Sequence, residues 1–197
     1  MSYEMLELFR NMDFNDTETQ LALQCAPLLT GLKMSNLFII STENERNFLE
    51  YLDRATHNVD IEAYRLLEHQ GKSIYLLYRK EQLEHFLAKE EVRDFFAVEG
   101  YYDFTLEGIL LGFRFRYQKH RLCGGDFPHE MGLLLGYPLE DVVGFVENEG
   151  EHFLCSGYWK VYANPAEKLL LFRKFQCAED RLIKLLSKGI SIKDMIV

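Results

Sequence analysis

The sequence has few of the residues that mark several common protein classes. Its 197 residues include four cysteines, four prolines and one tryptophan, and no apolar run is long enough to span a bilayer. The first residues, MSYEMLELFRNMD, have neither the basic start nor the apolar core of a secretory signal. The cysteines are widely spaced and form no CxxC pair, which favours reduced thiols over a disulfide scaffold. We therefore expect a cytoplasmic protein without a membrane segment.

Positive charge is missing from a long stretch in the second half of the chain. No Lys or Arg occurs between Leu122 and Trp159, where the acidic residues are Asp126, Glu130, Glu140, Asp141, Glu147, Glu149 and Glu151. The whole chain has 22 Lys and Arg against 31 Asp and Glu, a formal net charge of −9. Because DNA-binding helices neutralise phosphates with cations, this charge pattern argues against nucleic acid and anionic membranes as partners.

The motifs of several enzyme classes are also missing. The sequence has no P-loop, no GxGxxG after a strand, no GxSxG and no protein-kinase signature. These absences disfavour nucleotide hydrolases, dinucleotide-dependent dehydrogenases, serine hydrolases of the α/β type and kinases.

The residues that are present predict one globular domain over residues 1–197. Hydrophobic residues make up 48% of the chain and charged residues 27%, which is typical of globular proteins. Strand-length apolar runs occur at 35–41, 73–78 and 153–162. Helical spacing of apolar residues indicates helices at 3–10, 16–31, 43–69 with a break near 58–60, 80–89, 90–98, 104–120 and 166–186. The expected fold is α+β, a helix-rich α/β arrangement in which a small sheet of about three strands is surrounded by helices.

A corner of two short helices is predicted within residues 126–150. Asp126 is expected to cap the first helix, which has Pro128 in its first turn, where a missing N–H costs nothing. Gly136 is expected to end this helix in the left-handed conformation. The second helix then starts after Pro138.

Cys25 is the leading candidate for a reactive thiol. It lies just before Pro27 and upstream of Lys33, and a cation near a thiol lowers the thiol pKa and makes it nucleophilic. A thiol enzyme would use Cys25 as the nucleophile and His129 as the base. Lys33 or Asn36 would then stabilise the developing negative charge. The alternative is that Cys25 is a small buried hydrophobe, as unpaired cysteines often are.

His129 and Glu130 are the leading candidates for a metal site. Both fall in the first turn of the first corner helix, whose positive end favours a neutral imidazole that can bind a metal. Cys25 and Cys155 are the candidate thiolate ligands, and thiolate with imidazole suits iron or zinc. The alternative is that His129 and Glu130 contact only backbone donors and solvent.

The remaining cysteines give weaker signals. His120 and Cys123 have the same H-x-x-C spacing as His152 and Cys155, which permits a joint metal site but occurs often by chance. Cys177 falls on the apolar face of the last predicted helix, so we expect it to be a packing residue.

Two clusters outside the corner are candidates for ligand contacts. Trp159, Lys160 and Tyr162 on the last predicted strand are expected to line a flat ligand, with Asn36 as a further contact, unless the aromatic rings pack in the core. A basic cluster suits either a phosphate-bearing ligand or a solvated helix end, and consists of Arg114, Arg116, Lys119, His120 and Arg121.

Six short motifs are spread along the chain: CAP at 25–27, GLK at 31–33, NL at 36–37, FPHE at 127–130, GYPLEDV at 136–142 and CSGYWKVY at 155–162. Through these motifs nearly the whole chain resembles an uncharacterised domain-of-unknown-function family that is typical of anaerobic Firmicutes. Met34 and Met131 differ from the more usual Pro and Ile of the family. The resemblance implies no known activity. It implies a weak link to redox or iron physiology, because members look to be encoded near flavodoxin and ferrous-iron transport functions.

Three functional hypotheses follow. The first is a cytoplasmic protein that binds a metal or small cofactor in anaerobic redox or iron metabolism, with a redox protein such as flavodoxin as a partner. Its binding residues would be Cys25, His129, Glu130 and Cys155. The second is the thiol enzyme described above. The third is an interaction protein without catalysis, in which the motifs are packing residues.

Overall fold

A computed structural model describes Leu8 and residues 12–196 of the chain. The short helix predicted for residues 3–10 lies outside these described residues, apart from Leu8. Within the described part of the chain, no helix is long and apolar enough to cross a membrane.

The centre of the fold is a three-stranded antiparallel sheet. Its strands are β1 (Ser35–Ser41), β2 (Ile61–His69) and β3 (Lys72–Arg79), in the order β1-β3-β2. β2 and β3 form a hairpin through Gln70 and Gly71, whose φ angles are 49° and 71°. Two successive residues with positive φ match the right-handed twist of the strands, as in a type I′ turn.

Residues 61–69 form the strand β2, whereas the sequence predicted that the helix of 43–69 continues to residue 69 after a break near 58–60. That prediction is wrong. A β-bulge between Arg65 and Leu67 interrupts the alternation, so that Leu66 and Leu67 are both buried. The apolar spacing therefore loses the period of two that identifies a strand from sequence. The pairing with β3 fixes the strand, and that pairing is not visible in the apolar spacing of 43–69.

Helices surround the sheet and make the fold helix-rich α+β, as predicted. Within the described residues they are α1 (Thr17–Leu29), α2 (Glu45–Ala55), α3 (Lys80–Leu87), α4 (Glu90–Val98), α5 (Leu106–Cys123), α6 (Met131–Leu134), α7 (Leu139–Glu147), α8 (Pro165–Leu186) and a 3₁₀ turn at Ile192–Asp194. The carboxylate of Asp16 caps α1 by accepting a hydrogen bond from the Thr19 N–H at 2.8 Å. Pro165 stands at the first position of α8, where its missing N–H is tolerated.

The central strand β3 divides the core into two layers. Ile74, Leu76 and Tyr78 pack in a cluster with residues of α3, α4, α5 and α6. Tyr75 and Leu77 point the other way and pack with α1, α2 and Leu182 of α8. Because successive side chains of a strand alternate between faces, one apolar run supplies both layers.

The predicted corner forms, but its first helix is shorter than expected. Residues 124–128 are not helical, and α6 begins only at Met131, so Asp126 does not cap it. One reason is that α5 continues to Cys123 and ends at Gly124, which has a left-handed φ of 71°. Gly136 ends α6 with φ 75° and α7 follows Pro138, both as predicted.

A two-stranded ribbon replaces the single strand predicted for 153–162. Its strands are β4 (Cys155–Ser156) and β5 (Lys160–Val161), which pair antiparallel. Trp159 and Val161 pack with Phe172 and Phe175 of α8 in a small third cluster. The ribbon therefore lies between the corner and α8, where it closes one side of a cavity.

Candidate functional site

A cavity of about 250 Å³ lies between the α6–α7 corner and β5. Most of its walls are apolar, and its lining residues are Phe127, His129, Met131, Gly132, Leu135, Tyr137, Asp141, Val142, Phe145, Trp159 and Lys160. We call it the aromatic cavity. Three of the predicted site residues, His129, Trp159 and Lys160, therefore line one space.

His129 belongs to a row of rings along one wall of the aromatic cavity. Its ring centroid lies 5.4 Å from that of Phe127 and 5.7 Å from that of Phe145. The His120 ring extends the row at 5.3 Å from Phe127. The His129 imidazole makes no hydrogen bond to another described residue, so its nitrogens are available to a ligand. The turn immediately before α6 carries His129 and places its ring at the cavity.

Trp159 forms a rigid wall of the same cavity. Its ring stacks on Tyr137 with centroids 4.8 Å apart and planes at 25°, and it meets Phe172 edge-on at 4.6 Å. Its indole N–H donates to the Asp141 Oδ2 at 2.8 Å. Ring contacts of this kind each contribute about 0.5–1.5 kcal/mol beyond burial. The indole is thus held at both its ring and its N–H.

Asp141 is a buried carboxylate that ties α7 to β5. Only 2% of the residue is exposed. Besides the Trp159 indole, its Oδ1 accepts the backbone N–H groups of Tyr162 at 2.7 Å and Ala163 at 3.1 Å. Both carboxylate oxygens are therefore occupied by protein donors. The sequence marked Asp141 only as one of the acidic residues between Leu122 and Trp159, and no spacing motif identifies such a tie.

Lys160 brings the one ammonium group among the residues that line the aromatic cavity. Its Nζ donates to the Gly150 carbonyl at 2.5 Å and lies 4.8 Å from the Phe153 ring centroid and 5.8 Å from that of Phe145. No carboxylate of the described residues forms an ion pair with it. A cation held by a carbonyl and by ring faces keeps its charge uncompensated at the cavity.

Tyr162 does not line the aromatic cavity. Its side chain packs against Gly144 of α7, where an added Cβ would lie 2.5 Å from the Tyr162 Cβ. This close approach requires glycine at position 144. Tyr162 therefore packs in the joint between α7 and the ribbon, and its contact with a flat ligand stays a prediction.

Glu130 is fully buried in an ion-pair network. Its Oε1 accepts the Tyr101 hydroxyl at 2.9 Å and the Arg116 Nε–H at 2.6 Å. Arg116 also pairs with the Glu99 carboxylate at 2.6 Å and donates to the Glu99 carbonyl. Burial, with the charge of Glu130, raises the pKa of Tyr101 above its usual range. The Glu130 carboxylate is thus bound by protein donors. Arg116, which was predicted to belong to the basic cluster, neutralises this carboxylate.

Cys25 lies on α1 and is enclosed in the protein core. It is 0% exposed, and its Sγ lies 3.9 Å from the Leu37 carbonyl oxygen. Burial raises the pKa of its thiol to about 12, although the nearby Lys33 ammonium lowers the pKa in part. The thiolate that a nucleophile or metal ligand needs is therefore a minor species at neutral pH.

The four predicted metal ligands are not brought together. Leu8 and residues 12–196 contain no group of three or more His, Cys, Asp or Glu side chains that could hold a metal ion. Cys25 packs in the α1–α2 layer, Glu130 pairs with Arg116, and Cys155 lies half-buried in β4. The H-x-x-C pairs form no such group either.

Lys33 and Asn36 lie together at a second cavity. The Lys33 Nζ donates to the Asn36 Oδ1 at 3.0 Å, and both residues line a space of about 320 Å³. Tyr137 lines this second cavity as well as the aromatic cavity. The predicted site residues thus divide between two neighbouring spaces and the core.

A family model described as a protein of unknown function, DUF3793, matches residues 21–196. The chain belongs to the DUF3793 family. This confirms the resemblance to a domain-of-unknown-function family, and the match includes every residue that lines the aromatic cavity of this DUF3793 protein. No curated protein and no solved structure is significantly similar to the chain.

The cysteines of this DUF3793 protein differ in exposure, which corrects one prediction. Cys123 and Cys177 are both exposed, Cys155 is half-buried and Cys25 is buried. Cys177 was expected to pack on the apolar face of the last helix. The buried residues of α8 include Phe172, Phe175 and Leu182, and Cys177 is not among them.

We expect the thiols to react with N-ethylmaleimide in the order of their exposure. At pH 7 the native protein should label at Cys123 and Cys177 first, with Cys155 slower. Cys25 should label at least roughly a thousandfold more slowly than a free thiol, because its pKa lies near 12 instead of about 8.5. Peptide mass spectrometry over time measures the order, and urea-unfolded protein is the control in which all four react. Rapid labelling of Cys25 in the native protein would support the thiol-enzyme hypothesis instead.

Proposed function

We propose that this DUF3793 protein binds a small planar aromatic molecule in the aromatic cavity. The observation that carries the proposal is the fixed Trp159 wall, which shares the cavity with His129, Phe145 and Lys160. This is the small-cofactor form of the first sequence hypothesis. Of the binding residues named there, only His129 lines the space, whereas Trp159 and Lys160 come from the prediction of a flat ligand.

The size and lining of the cavity define the ligand class. Drug-sized ligands occupy pockets of about 300–1,000 Å³, so a cavity of about 250 Å³ suits a molecule with one or two fused rings. Most of its walls are aromatic or aliphatic, and stacking on such rings contributes about 1 kcal/mol per ring pair. A flat ring system fits these walls better than a flexible polar chain.

The polar groups define the ligand charge. The Asp141 carboxylate is occupied by three protein donors, so it is not available to bind a cationic ligand. His129 and Lys160 remain as groups that face the cavity with hydrogen-bonding capacity. An uncompensated ammonium attracts a negative or strongly electron-rich group. We therefore propose a ring that carries a carboxylate, sulfonate, phosphate or carbonyl oxygen.

Anilinonaphthalene sulfonate (ANS), an aromatic anion whose naphthalene sulfonate part is flat and has two fused rings, tests this proposal. Trp159 is the single tryptophan of the chain, so energy transfer from tryptophan to ANS reports binding near the cavity. We expect saturable transfer with one ANS per chain. Lys160→Met and Phe145→Ala should each weaken ANS binding about tenfold, which corresponds to about 1.4 kcal/mol for one lost charge or ring contact.

Lys188→Met is the matched control, because Lys188 is exposed and lies after α8. It removes one ammonium group without touching the cavity, so ANS binding should be unchanged. Equal affinities of Lys160→Met and Lys188→Met would contradict the proposal. Absence of energy transfer from Trp159 in the folded wild-type protein would contradict it as well, and would favour the interaction-protein hypothesis.

We also propose, from the resemblance, that the bound molecule takes part in anaerobic redox or iron metabolism. Protein purified without oxygen should then carry a chromophore in its absorption spectrum, and titration with reduced flavodoxin should change that spectrum. Metal analysis of the same sample tests bound iron or zinc. A colourless, metal-free sample whose spectrum is unchanged by flavodoxin would overturn this part while leaving ANS binding as an independent result.

A further inference from the structure

The second cavity holds a lysine without a carboxylate partner. Its volume is about 320 Å³, and its polar lining residues are Gln24, Lys33, Asn36, Tyr158 and Glu179. Its remaining walls are apolar or aromatic, formed by Leu23, Pro27, Leu37, Leu135 and Tyr137. An amine, a phenol and a carboxyl group thus face one small space.

Lys33 is held by neutral groups. Its Nζ donates to the Asn36 Oδ1 at 3.0 Å and lies 5.4 Å from the Tyr137 ring centroid. No Asp or Glu within Leu8 and residues 12–196 forms an ion pair with it. The Asn36 Nδ2 donates to the Gln24 carbonyl at 2.5 Å, which turns the amide oxygen toward the lysine. The amine is therefore positioned without being neutralised.

The surroundings of Lys33 favour its neutral form. Burial lowers the pKa of Lys33 to about 8, and the Cys25 thiol on α1 opposes this shift. At pH 7 roughly a tenth of such an amine is unprotonated, whereas an exposed lysine with a pKa near 10.4 is almost fully protonated. Only the unprotonated amine is a nucleophile.

A proton donor faces the same cavity. The Tyr158 hydroxyl donates to the Glu179 Oε1 at 2.7 Å. Burial raises the pKa of Glu179, and the neighbouring Asp180 raises it further, while the bond from Tyr158 lowers it. Burial and the bond to Glu179 raise the pKa of Tyr158 above its usual range, so Glu179 is the member of the pair that can release a proton to a leaving group in the cavity.

We propose that Lys33 forms an imine with a small aldehyde or ketone bound in the second cavity. The neutral Nζ attacks the carbonyl carbon, a C–N bond forms, and one of the two amine protons moves to the former carbonyl oxygen, which gives a carbinolamine. A proton from the Tyr158–Glu179 pair then lets the hydroxyl leave as water, and the second nitrogen proton returns to the pair as the C=N bond forms. The products are a C=N bond and one water, so no oxidant or reductant is required. This site is separate from the aromatic cavity and does not rest on the ligand proposed there.

Reductive trapping tests the proposal on the full chain. The protein is incubated with propanal and sodium cyanoborohydride at pH 7, and each lysine is followed by peptide mass spectrometry. We expect Lys33 to be alkylated about 100-fold faster than the exposed Lys188, from the larger neutral fraction of the amine. Labelling at Lys33 that is no faster than at Lys188 would overturn the proposal. This measurement needs no variant, so it does not depend on the folding of a mutant.

Variants then distinguish a lysine that is reactive on its own from a site in which the Tyr158–Glu179 pair assists the reaction. Lys33→Met should remove the fast adduct and leave the slow ones, with circular dichroism as the check on folding. Glu179→Gln and Tyr158→Phe should slow trapping about tenfold, while the pH midpoint of the Lys33 reaction stays near 8. An unchanged trapping rate in both variants would overturn the assigned role of the Tyr158–Glu179 pair.

Discussion

Replacement of Asp141 with Ala is expected to lower the free energy of unfolding by about 3–5 kcal/mol, because a buried carboxylate and its hydrogen bonds are lost together. The substitution leaves the Trp159 indole and the backbone N–H groups of Tyr162 and Ala163 without their acceptor. It also frees the joint between α7 and β5, so ANS binding in the aromatic cavity should be lost with it. Urea unfolding followed by circular dichroism measures the change.

Glu147→Ala is the matched control for this experiment. Glu147 is exposed on the same helix, so its replacement should change the unfolding free energy by no more than about 0.5 kcal/mol. Asp141→Asn should fall between the two, since its amide oxygen can still accept a hydrogen bond while its NH₂ cannot. If Asp141→Ala costs no more than Glu147→Ala, the tie between α7 and the ribbon is not a source of stability.

Arg116→Ala is the second substitution with a large expected effect, a loss of about 3 kcal/mol of unfolding free energy. It leaves the Glu130 carboxylate fully buried with the Tyr101 hydroxyl as its remaining donor in the described structure. Removal of one partner of a buried pair costs about 3–5 kcal/mol, and the lower figure applies because 37% of the Arg116 side chain is exposed.

Arg121→Ala serves as the control for Arg116→Ala. Arg121 lies on the same helix near its end and is exposed, so the substitution removes an equal charge from solvent. Its cost should stay below about 1 kcal/mol, because exposed charges contribute little. Equal losses for the two variants in urea unfolding would show that the network around Glu130 does not stabilise the fold.

Local patterns in the sequence were sufficient for most of the fold. The apolar runs gave β1 and β3, and the helical spacing over 166–186 gave α8. Gly136 and Pro138 gave the end of α6 and the start of α7, because glycine tolerates the left-handed conformation at a helix end and proline fixes a φ angle suited to a helix start. β2 was missed because its bulge hides the strand period, and pairing across a hairpin is not encoded in apolar spacing.

The site was predicted less completely than the fold. His129, Trp159 and Lys160 were chosen for their residue types, and they line one cavity. Asp141 and Phe145 were not chosen, because what they contact depends on how the corner and the ribbon pack together. Unusual residue types mark candidates in a sequence, whereas burial and neighbours decide their roles. Cys25 was also chosen for its residue type, but it is enclosed in the core and does not line the cavity.

The nuclear magnetic resonance signal of the Trp159 indole N–H tests the central claim most directly. The chain has one tryptophan, so a ¹⁵N-labelled sample gives one indole cross-peak. Because this N–H donates to the buried Asp141, the peak should exchange slowly with solvent and should shift saturably as ANS is added. A peak that exchanges rapidly, or that stays in place while ANS binds, would contradict a ligand site built on Trp159.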